Sequence, residues 1–225
     1  MKKKFLSSEE MYAIDQYTIE KIGIPSPVLM ERAAYAVVLD LKDDLTKNDF
    51  ILVLAGNGNN GADAIAVARM LFLLNFNVEV YLPAQTSYSK GMKEQLTIAE
   101  NIELPIKHKM KANKFTQATY IVDGLFGIGL TREIESHYKE GIYLVNQQKQ
   151  EDTTIISLDI PSGLSAVTGE LFETVIKADY TYTFGFYKKG MDTALGQYYC
   201  GQIKWCDLGY PLKKLEDFLD IEFLF

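Results

Sequence analysis

The chain is poor in the residues from which most nucleophilic and metal-dependent active sites are built. Across 225 residues it has two cysteines, two histidines and one tryptophan. Cys200 and Cys206 lack the paired spacing of a zinc site or a redox motif, so they read as two free thiols in or beside a C-terminal strand. His108 and His137 stand in no catalytic or ligand spacing, which argues against zinc chemistry and against a Ser-His-Asp triad. Catalysis, if there is any, then falls to carboxylates, lysines, backbone amides or a bound cofactor.

Positive charge is scarce as well: 23 Lys and Arg stand against 30 Asp and Glu, for a net charge of −7. Gripping a nucleic-acid backbone takes clustered cations that release counterions, so no nucleic-acid partner is expected. The one basic cluster, Lys2-Lys3-Lys4, reads as a solvated terminus. No run approaches the ~20 apolar residues that cross a bilayer. Ser7-Ser8-Glu9-Glu10 follows the lysines where a signal peptide would carry its apolar core. The expectation is a cytoplasmic protein without membrane contact.

What is present suits a single domain over residues 1–225, with 48% hydrophobic and 24% charged content. Ser7 with Glu10 forms a capping-box pattern, followed by Met11, Ile14, Tyr17 and Ile22 near helical spacing, which predicts a helix over about 8–21. Gly23-Ile24-Pro25-Ser26-Pro27 breaks it, and a second helix is expected from Val28 to about Leu45. These two helices at 8–45 precede an α/β core at 50–210.

In that core Phe50–Ala55 is a continuous apolar run of strand length, the composition of a parallel strand covered on both faces. Similar runs recur at 78–82, 118–122, 154–158, 180–184 and 202–205, with helical stretches expected at 62–75, 91–101 and about 133–149. Such alternation predicts a three-layer α/β/α Rossmann-like sandwich around a mostly parallel sheet.

Ligands of open parallel sheets bind beyond the carboxyl ends of the strands, and three expected strands end in loops rich in Gly, Asp, Asn and Ser. Gly56-Asn57-Gly58-Asn59-Asn60-Gly61-Ala62-Asp63 fits G-x-G-x-x-G between a strand and a helix, where amides and the helix N-terminus meet a pyrophosphate. The acidic residue that would hold a ribose at the end of the next strand is missing, since that strand closes Tyr81-Leu82-Pro83-Ala84. A plain turn with Asp63 favouring the positive helix end is the other reading. The second loop runs Asp123-Gly124-Leu125-Phe126-Gly127-Ile128-Gly129-Leu130-Thr131-Arg132, either wrapped around a ligand or a buried turn. In the third, Asp159-Ile160-Pro161-Ser162-Gly163, proline stiffens the turn, and no nucleophile elbow or histidine supports Ser162 as a nucleophile. Asn60, Asp123 and Ser162, oxygen donors from three strand ends, would suit a hard cation.

Together these segments resemble the YjeF N-terminal domain family. The resemblance is carried by Leu29-Met30-Glu31-Arg32-Ala33, Gly56 to Asp63, Val122 to Leu130, Leu158 to Gly163 and Ala178-Asp179-Tyr180-Thr181-Tyr182-Thr183-Phe184, in that order. It runs from about residue 8 to Pro211. It implies a Rossmann-like fold and, for enzymatic members, NAD(P)H-hydrate epimerase activity on the two epimers of hydrated NADH and NADPH (NADHX and NADPHX). By motif, Asn59, Asn60, Gly61, Ala62 and Asp63 would contact the nucleotide, and Gly127, Ile128, Gly129, Leu130, Thr131, Arg132 and Glu133 would cradle its phosphates. Asp159 would face the hydrated ring, and Asn60, Asp123 and Ser162 would hold a potassium ion (K+).

Two departures stand out: the family loop usually has glycines where this chain has Ala62 and Ala64, and no dehydratase domain follows before Phe225, so a separate dehydratase is the expected partner. Asp159 is the candidate proton donor or acceptor. Lys188 or Lys189 supplies a positive charge to phosphate or ring, or the two form a solvated pair. A homodimer is implied by the resemblance, with Leu29, Met30, Val37 and Val38 either in its interface or packed on the sheet. The rival readings are a non-catalytic nucleotide-binding or scaffold module of the same fold, and an ordinary NAD-dependent oxidoreductase.

Overall fold

The structure, a computed structural model, describes residues 4–83, 87–109 and 111–219. Lys2 and Lys3 of the basic cluster, Ala84 and Phe225 lie outside them. Phe5–Leu6 forms a short strand, β1. Ser7 then caps helix α1 (Ser8–Tyr17): its Oγ accepts from the Glu10 N–H at 3.2 Å, and Glu10 Oε2 accepts from the Ser7 N–H at 2.6 Å. This is the reciprocal pair that the Ser-x-x-Glu spacing predicts. The helix continues as a π-helical turn, Thr18–Ile22, and stops at Gly23, whose φ of +86° is left-handed. Helix α2 (Ser26–Leu41) starts earlier than expected because Pro27 fits the first turn, where no amide is needed, and it ends at Leu41 rather than Leu45.

The core alternates strand and helix as expected, with one unexpected strand–helix unit, β4 and α5, in the stretch between 101 and 118: β2 (Phe50–Ala55), α3 (Asn59–Leu73), β3 (Asn77–Tyr81), α4 (Lys90–Asn101), β4 (Ile106–Lys107), α5 (Ala112–Gln117), β5 (Tyr120–Gly124), α6 (Ser136–Gln148), β6 (Thr154–Leu158) and β7 (Tyr180–Phe184). After β7 come β8 (Tyr187–Lys188), a 3-10 turn (Lys189–Asp192), α7 (Ala194–Cys200), β9 (Gln202–Cys206) and α8 (Leu212–Leu219). The seven-stranded sheet has the order β4-β3-β2-β5-β6-β7-β9. Every pairing in it is parallel.

Alternation along β2 makes the three layers. Ile51, Val53 and Ala55 pack with Val37 of α2, Ile65 of α3 and Met92 of α4, whereas Leu52 and Leu54 pack with Phe115 of α5 and Ile142 of α6. Leu29, Met30, Val37 and Val38 belong to the first of these cores, so of the two roles open to them the packing role is the one they fill. Arg69 of α3 ion-pairs with Glu31 of α2 and donates to Gln95 of α4 at 3.3 Å, tying the helices of that face together.

From the neighbours β2 and β5 the chain runs outward in opposite directions, to β3 and β4 on one side and to β6, β7 and β9 on the other. The loops after β2 and β5 therefore part at a topological switch point, which is where open α/β sheets form their ligand crevice. A separate two-stranded sheet pairs β1 with β8, Leu6 opposite Lys188. Among the described residues no helix is long and apolar enough to cross a membrane.

Candidate active site

The glycine loop after β2 is shaped by close approach to the loop after β5. A Cβ on Gly56 would lie 1.9 Å from the Leu125 carbonyl oxygen, and one on Gly61 would lie 2.0 Å from that of Gly56. Only glycine lets the backbones come this near. The Ala62 N–H donates to the Gly58 carbonyl at 3.1 Å, which leaves the amides of Asn59, Asn60 and Gly61 ahead of that helical bond, at the positive end of α3. The methyls of Ala62 and Ala64 are fully buried. Ala64 meets Gly124, where a Cβ would come within 2.4 Å of it, and Ala62 lies toward Gly91 of α4. Both methyls fill packing between α3 and its neighbours rather than the mouth of the crevice.

Asp123, at the end of β5, is fully buried. Its Oδ2 accepts from Ser157 Oγ and from the Ser162 N–H, both at 2.8 Å; its Oδ1 accepts from Ser162 Oγ at 2.5 Å and from the Leu125 N–H at 3.2 Å. Ser162 Oγ in turn accepts from the Phe126 N–H at 2.9 Å. Burial pushes the Asp123 carboxyl above its usual range, against the pull of these donors. Beside this knot the Asn60 side chain is buried with neither Oδ1 nor Nδ2 bonded, and a Cβ on Gly127 would lie 3.4 Å from that Oδ1. An unbonded buried carboxamide is costly to leave unsatisfied. Its carbonyl oxygen, the Asp123 carboxylate and the Ser162 hydroxyl are all hard donors, so this set fits a monovalent or divalent hard cation.

Asp159, just beyond β6, has a left-handed backbone with φ +67°. Its N–H donates to the Tyr182 carbonyl at 2.7 Å. Oδ1 accepts from the Phe184 N–H at 3.3 Å and pairs with the ammonium of Lys188, a side chain with no exposed surface that also donates to Thr183 Oγ1 and the Phe184 carbonyl, each at 2.9 Å. Both partners fall on Oδ1, and Oδ2 has no partner among the described residues. Lys188 and Lys189 thus part company: Lys188 holds Asp159, while Lys189 is half exposed and pairs with Glu10 at 3.0 Å. They are not a solvated pair.

Around Asp159 gather further groups, of which Tyr12, Asp15 and Tyr210 carry no local sequence signal. Asp15 of α1 accepts from the Tyr210 hydroxyl at 2.5 Å. Burial and the Asp159 charge raise its carboxyl, and burial with the charges of Asp159 and Asp15 raises the partly buried Asp63 of α3 well above the usual range. Tyr12 of α1 overhangs the next loop, its hydroxyl 2.9 Å from where a Cβ on Gly129 would stand. Ser8 Oγ donates to the Ile128 carbonyl at 3.2 Å, which fixes the start of α1 on that loop. Gly127, Ile128 and Leu130 are partly buried there, whereas Gly129, Thr131, Arg132 and Glu133 are exposed, and Arg132 pairs with Glu135 at 3.5 Å. The expected site residues of all three loops therefore line one edge of the sheet, with α1 closing over them. Periodicity shows α1 only as a capped amphipathic helix; Tyr12 and Asp15 reach this edge through tertiary contacts. The cysteines lie apart as buried free thiols, both pushed up to about 12 by burial.

Known proteins bear on the same edge. Residues 26–190 match the family described as YjeF-related protein N-terminus. A protein of Leuconostoc citreum named NAD(P)H-hydrate epimerase is 40% identical over 216 residues, 96% of this chain and 94% of its own. Another so named, from Oenococcus oeni, is 38% identical over 91% of this chain and 96% of its own. The crystal structure of the yeast protein ynu0 shares the fold with a TM-score of 0.75 at 22% identity, covering 83% of this chain and 82% of that one. A family match that spans both glycine-bearing loops and the Asp159 turn, with near full-length relatives beside it, places this chain in the YjeF-related protein N-terminus family.

Proposed function

We infer that the protein is an NAD(P)H-hydrate epimerase, an isomerase that interconverts the R and S forms of hydrated NADH and NADPH. Its near full-length relatives carry that name. The observation that carries the chemistry is Asp159, whose Oδ1 is tied to Lys188 and the Phe184 N–H while Oδ2 is left for a ligand. In a hydrated dihydronicotinamide the hydroxyl sits on a ring carbon bonded to nitrogen. Once that hydroxyl is protonated, the nitrogen lone pair expels it as water, and water returning to the other face gives the other epimer. A positioned carboxyl that gives and takes the proton is what this reaction needs.

In this reading the amides of Asn59, Asn60 and Gly61 meet the anionic part of the nucleotide, helped by the α3 dipole. Ala62 contributes packing beneath them, and the segment from Gly127 to Glu133 wraps the phosphates. Asn60, Asp123 and Ser162 would hold potassium, which when bound would supply positive charge for the anionic nucleotide. The unbonded Asn60 carboxamide supports that assignment. An epimerase alone returns no usable cofactor, so a separate stereospecific dehydratase consumes its product. The setting is cytoplasmic, in keeping with two cysteines held as free thiols.

The homodimer belongs to the same proposal. Val28, Tyr35 and Leu39, between 45% and 59% exposed, form an apolar stripe on the outer side of α2. If that stripe is the interface, Tyr35→Asp converts a dimer into a monomer in light scattering without loss of the circular-dichroism signal.

Following the two epimers of NADHX and NADPHX by chromatography tests the function directly. Rapid interconversion by the purified protein is expected, and epimer ratios that never move sink the assignment. Potassium gives a second test. A ligand that binds only the native state at 100 times its Kd stabilises it by about 2.7 kcal/mol, worth about 5–10 °C in Tm for a chain of this size. Because the cation needs the Asp123 carboxylate, the shift is expected at neutral pH and fades as pH falls through the raised Asp123 value. Sodium should do less, and Asn60→Ala should abolish the potassium-specific part.

A further inference from the structure

Helix α1 meets the loop after β5 through residues on one face. Ser8 and Tyr12, four positions apart, stand on successive turns of that face. Ser8 is buried and donates to the Ile128 carbonyl at 3.2 Å; Tyr12 reaches Gly129, the next residue of the loop, with its hydroxyl 2.9 Å from the place of a Cβ. We propose that Tyr12 is a further substrate-binding residue, whose hydroxyl donates to a pyrophosphate oxygen of the nucleotide where the ligand passes Gly129. The proposal rests on the epimerase reading and deepens it, adding α1 to the three loops that bind.

Three observations support it. First, the Tyr12 hydroxyl has no hydrogen-bond partner among the described residues, whereas other polar groups on α1 are engaged: Ser8 by Ile128, Glu10 by Lys189 at 3.0 Å and Asp15 by the Tyr210 hydroxyl at 2.5 Å. Those contacts tie α1 to the loop after β5, the turn after β8 and the segment after β9, so the phenol rides on a helix held in place. Tyr12 is 52% exposed, which leaves it within reach of a ligand.

Second, that hydroxyl is the only group within 4 Å of the Gly129 Cβ position, apart from the chain neighbours of the glycine. The missing side chain leaves a gap between the Gly129 backbone and the phenol, on the loop assigned to the phosphates. Third, the group suits an anion. Burial and the charges of Asp159 and Asp15 hold the phenol above its ordinary value, so near neutral pH it is an O–H donor with no charge to repel a phosphate.

Tyr12→Phe keeps the ring and removes the hydroxyl. KM for NADHX and NADPHX should rise by about 10-fold or more, the strength of a hydrogen bond to a charged group. The bond is the same in ground and transition states, so kcat should hold. Kd for ADP-ribose, which carries the pyrophosphate without the nicotinamide ring, should rise by the same factor. Tm of the ligand-free protein should not change, since there the hydroxyl bonds no other residue. Gly129→Ala approaches the gap from the other side: its methyl meets only the far end of the Tyr12 side chain, which can swing away, so the chain folds while the hydroxyl leaves its place. KM should rise again, and the double variant should bind no more weakly than the weaker single one, because both changes act on one contact. Unchanged KM and Kd in Tyr12→Phe, losses that simply add in the double variant, or a fall in kcat at unchanged KM would overturn the proposal. A rise in KM that ADP-ribose does not share would move the contact off the pyrophosphate and overturn it too, and a lower Tm in Tyr12→Phe would give the hydroxyl a structural role with the same result. A wild type that leaves the epimer ratio unmoved would instead overturn the epimerase reading itself.

Discussion

Asp159→Asn is expected to lower kcat for epimer interconversion by about 10²–10⁴-fold, the range that removing a positioned acid–base group spans, with KM changed little. Asparagine is the informative replacement because of the backbone. Asp159 has φ +67°, a region that asparagine and aspartate tolerate best among residues with a Cβ. The amide oxygen can still accept from Lys188 and from the Phe184 N–H, so the turn keeps its geometry while the proton-accepting oxygen is lost. Asp159→Ala would confound the result, since it leaves the Lys188 ammonium buried without a partner and strains the turn as well. The measurement is paired: initial rates for both epimers by chromatography, and a melting curve. A drop in rate with Tm held within a few degrees assigns Asp159 to the chemistry. An unchanged rate removes it.

Much of this site is legible in the sequence, and what is not has a common cause. The apolar runs at 50–55, 154–158 and 180–184 are strands at those residues. The loops after the first two carry Asn60, Asp159 and Ser162 to the edge where β5 ends with Asp123, because parallel strands put all their carboxyl ends there. The expectation of a mostly parallel sheet is sharpened, since the seven strands pair only in parallel. Local signals end with local structure, however. β1, β4 and β8 are two-residue strands, too short for any periodicity. The 3-10 turn at Lys189–Asp192 and helix α7 fill a stretch rich in Gly and Tyr, whose pattern has no clear period. The expected start of α6 near Glu133 moves to Ser136 because 133–135 continue the loop that Arg132 and Glu135 pin together.

Residue chemistry shows the same division. Asp159 is visible because it ends a strand and precedes Ile160-Pro161. Its partner is 29 positions away, two strands further on, and nothing in Tyr187-Lys188-Lys189-Gly190 distinguishes the lysine that turns inward from the one that turns out. The register of β8 with β1 decides it: Lys188 stands opposite Leu6, the buried residue of that strand, and its neighbour Lys189 faces Glu10 on α1. Asp15 and Tyr210 meet across most of the chain's length, 195 residues apart. Such pairings exist only once the sheet has formed.

Lys188→Met is expected to cost the most stability of any substitution considered. The side chain has no exposed surface, and its ammonium satisfies Thr183 Oγ1, the Phe184 carbonyl and Asp159 together. Removing one partner of a buried ion pair strands the other charge, at about 3–5 kcal/mol. For a chain of this length that corresponds to a Tm lower by about 6–20 °C. Methionine matches the lysine stem in length and polarity, so lost packing is a small part of the change. The double variant Lys188→Met with Asp159→Asn removes the stranded charge and should recover part of the lost Tm, even though Asp159→Asn alone raises nothing. That non-additivity is the signature of a direct pair. Were the two losses simply to add, Lys188 would be stabilising β8 and the turn after β7 independently of Asp159, and its burial beneath the carboxylate would have no bearing on the site.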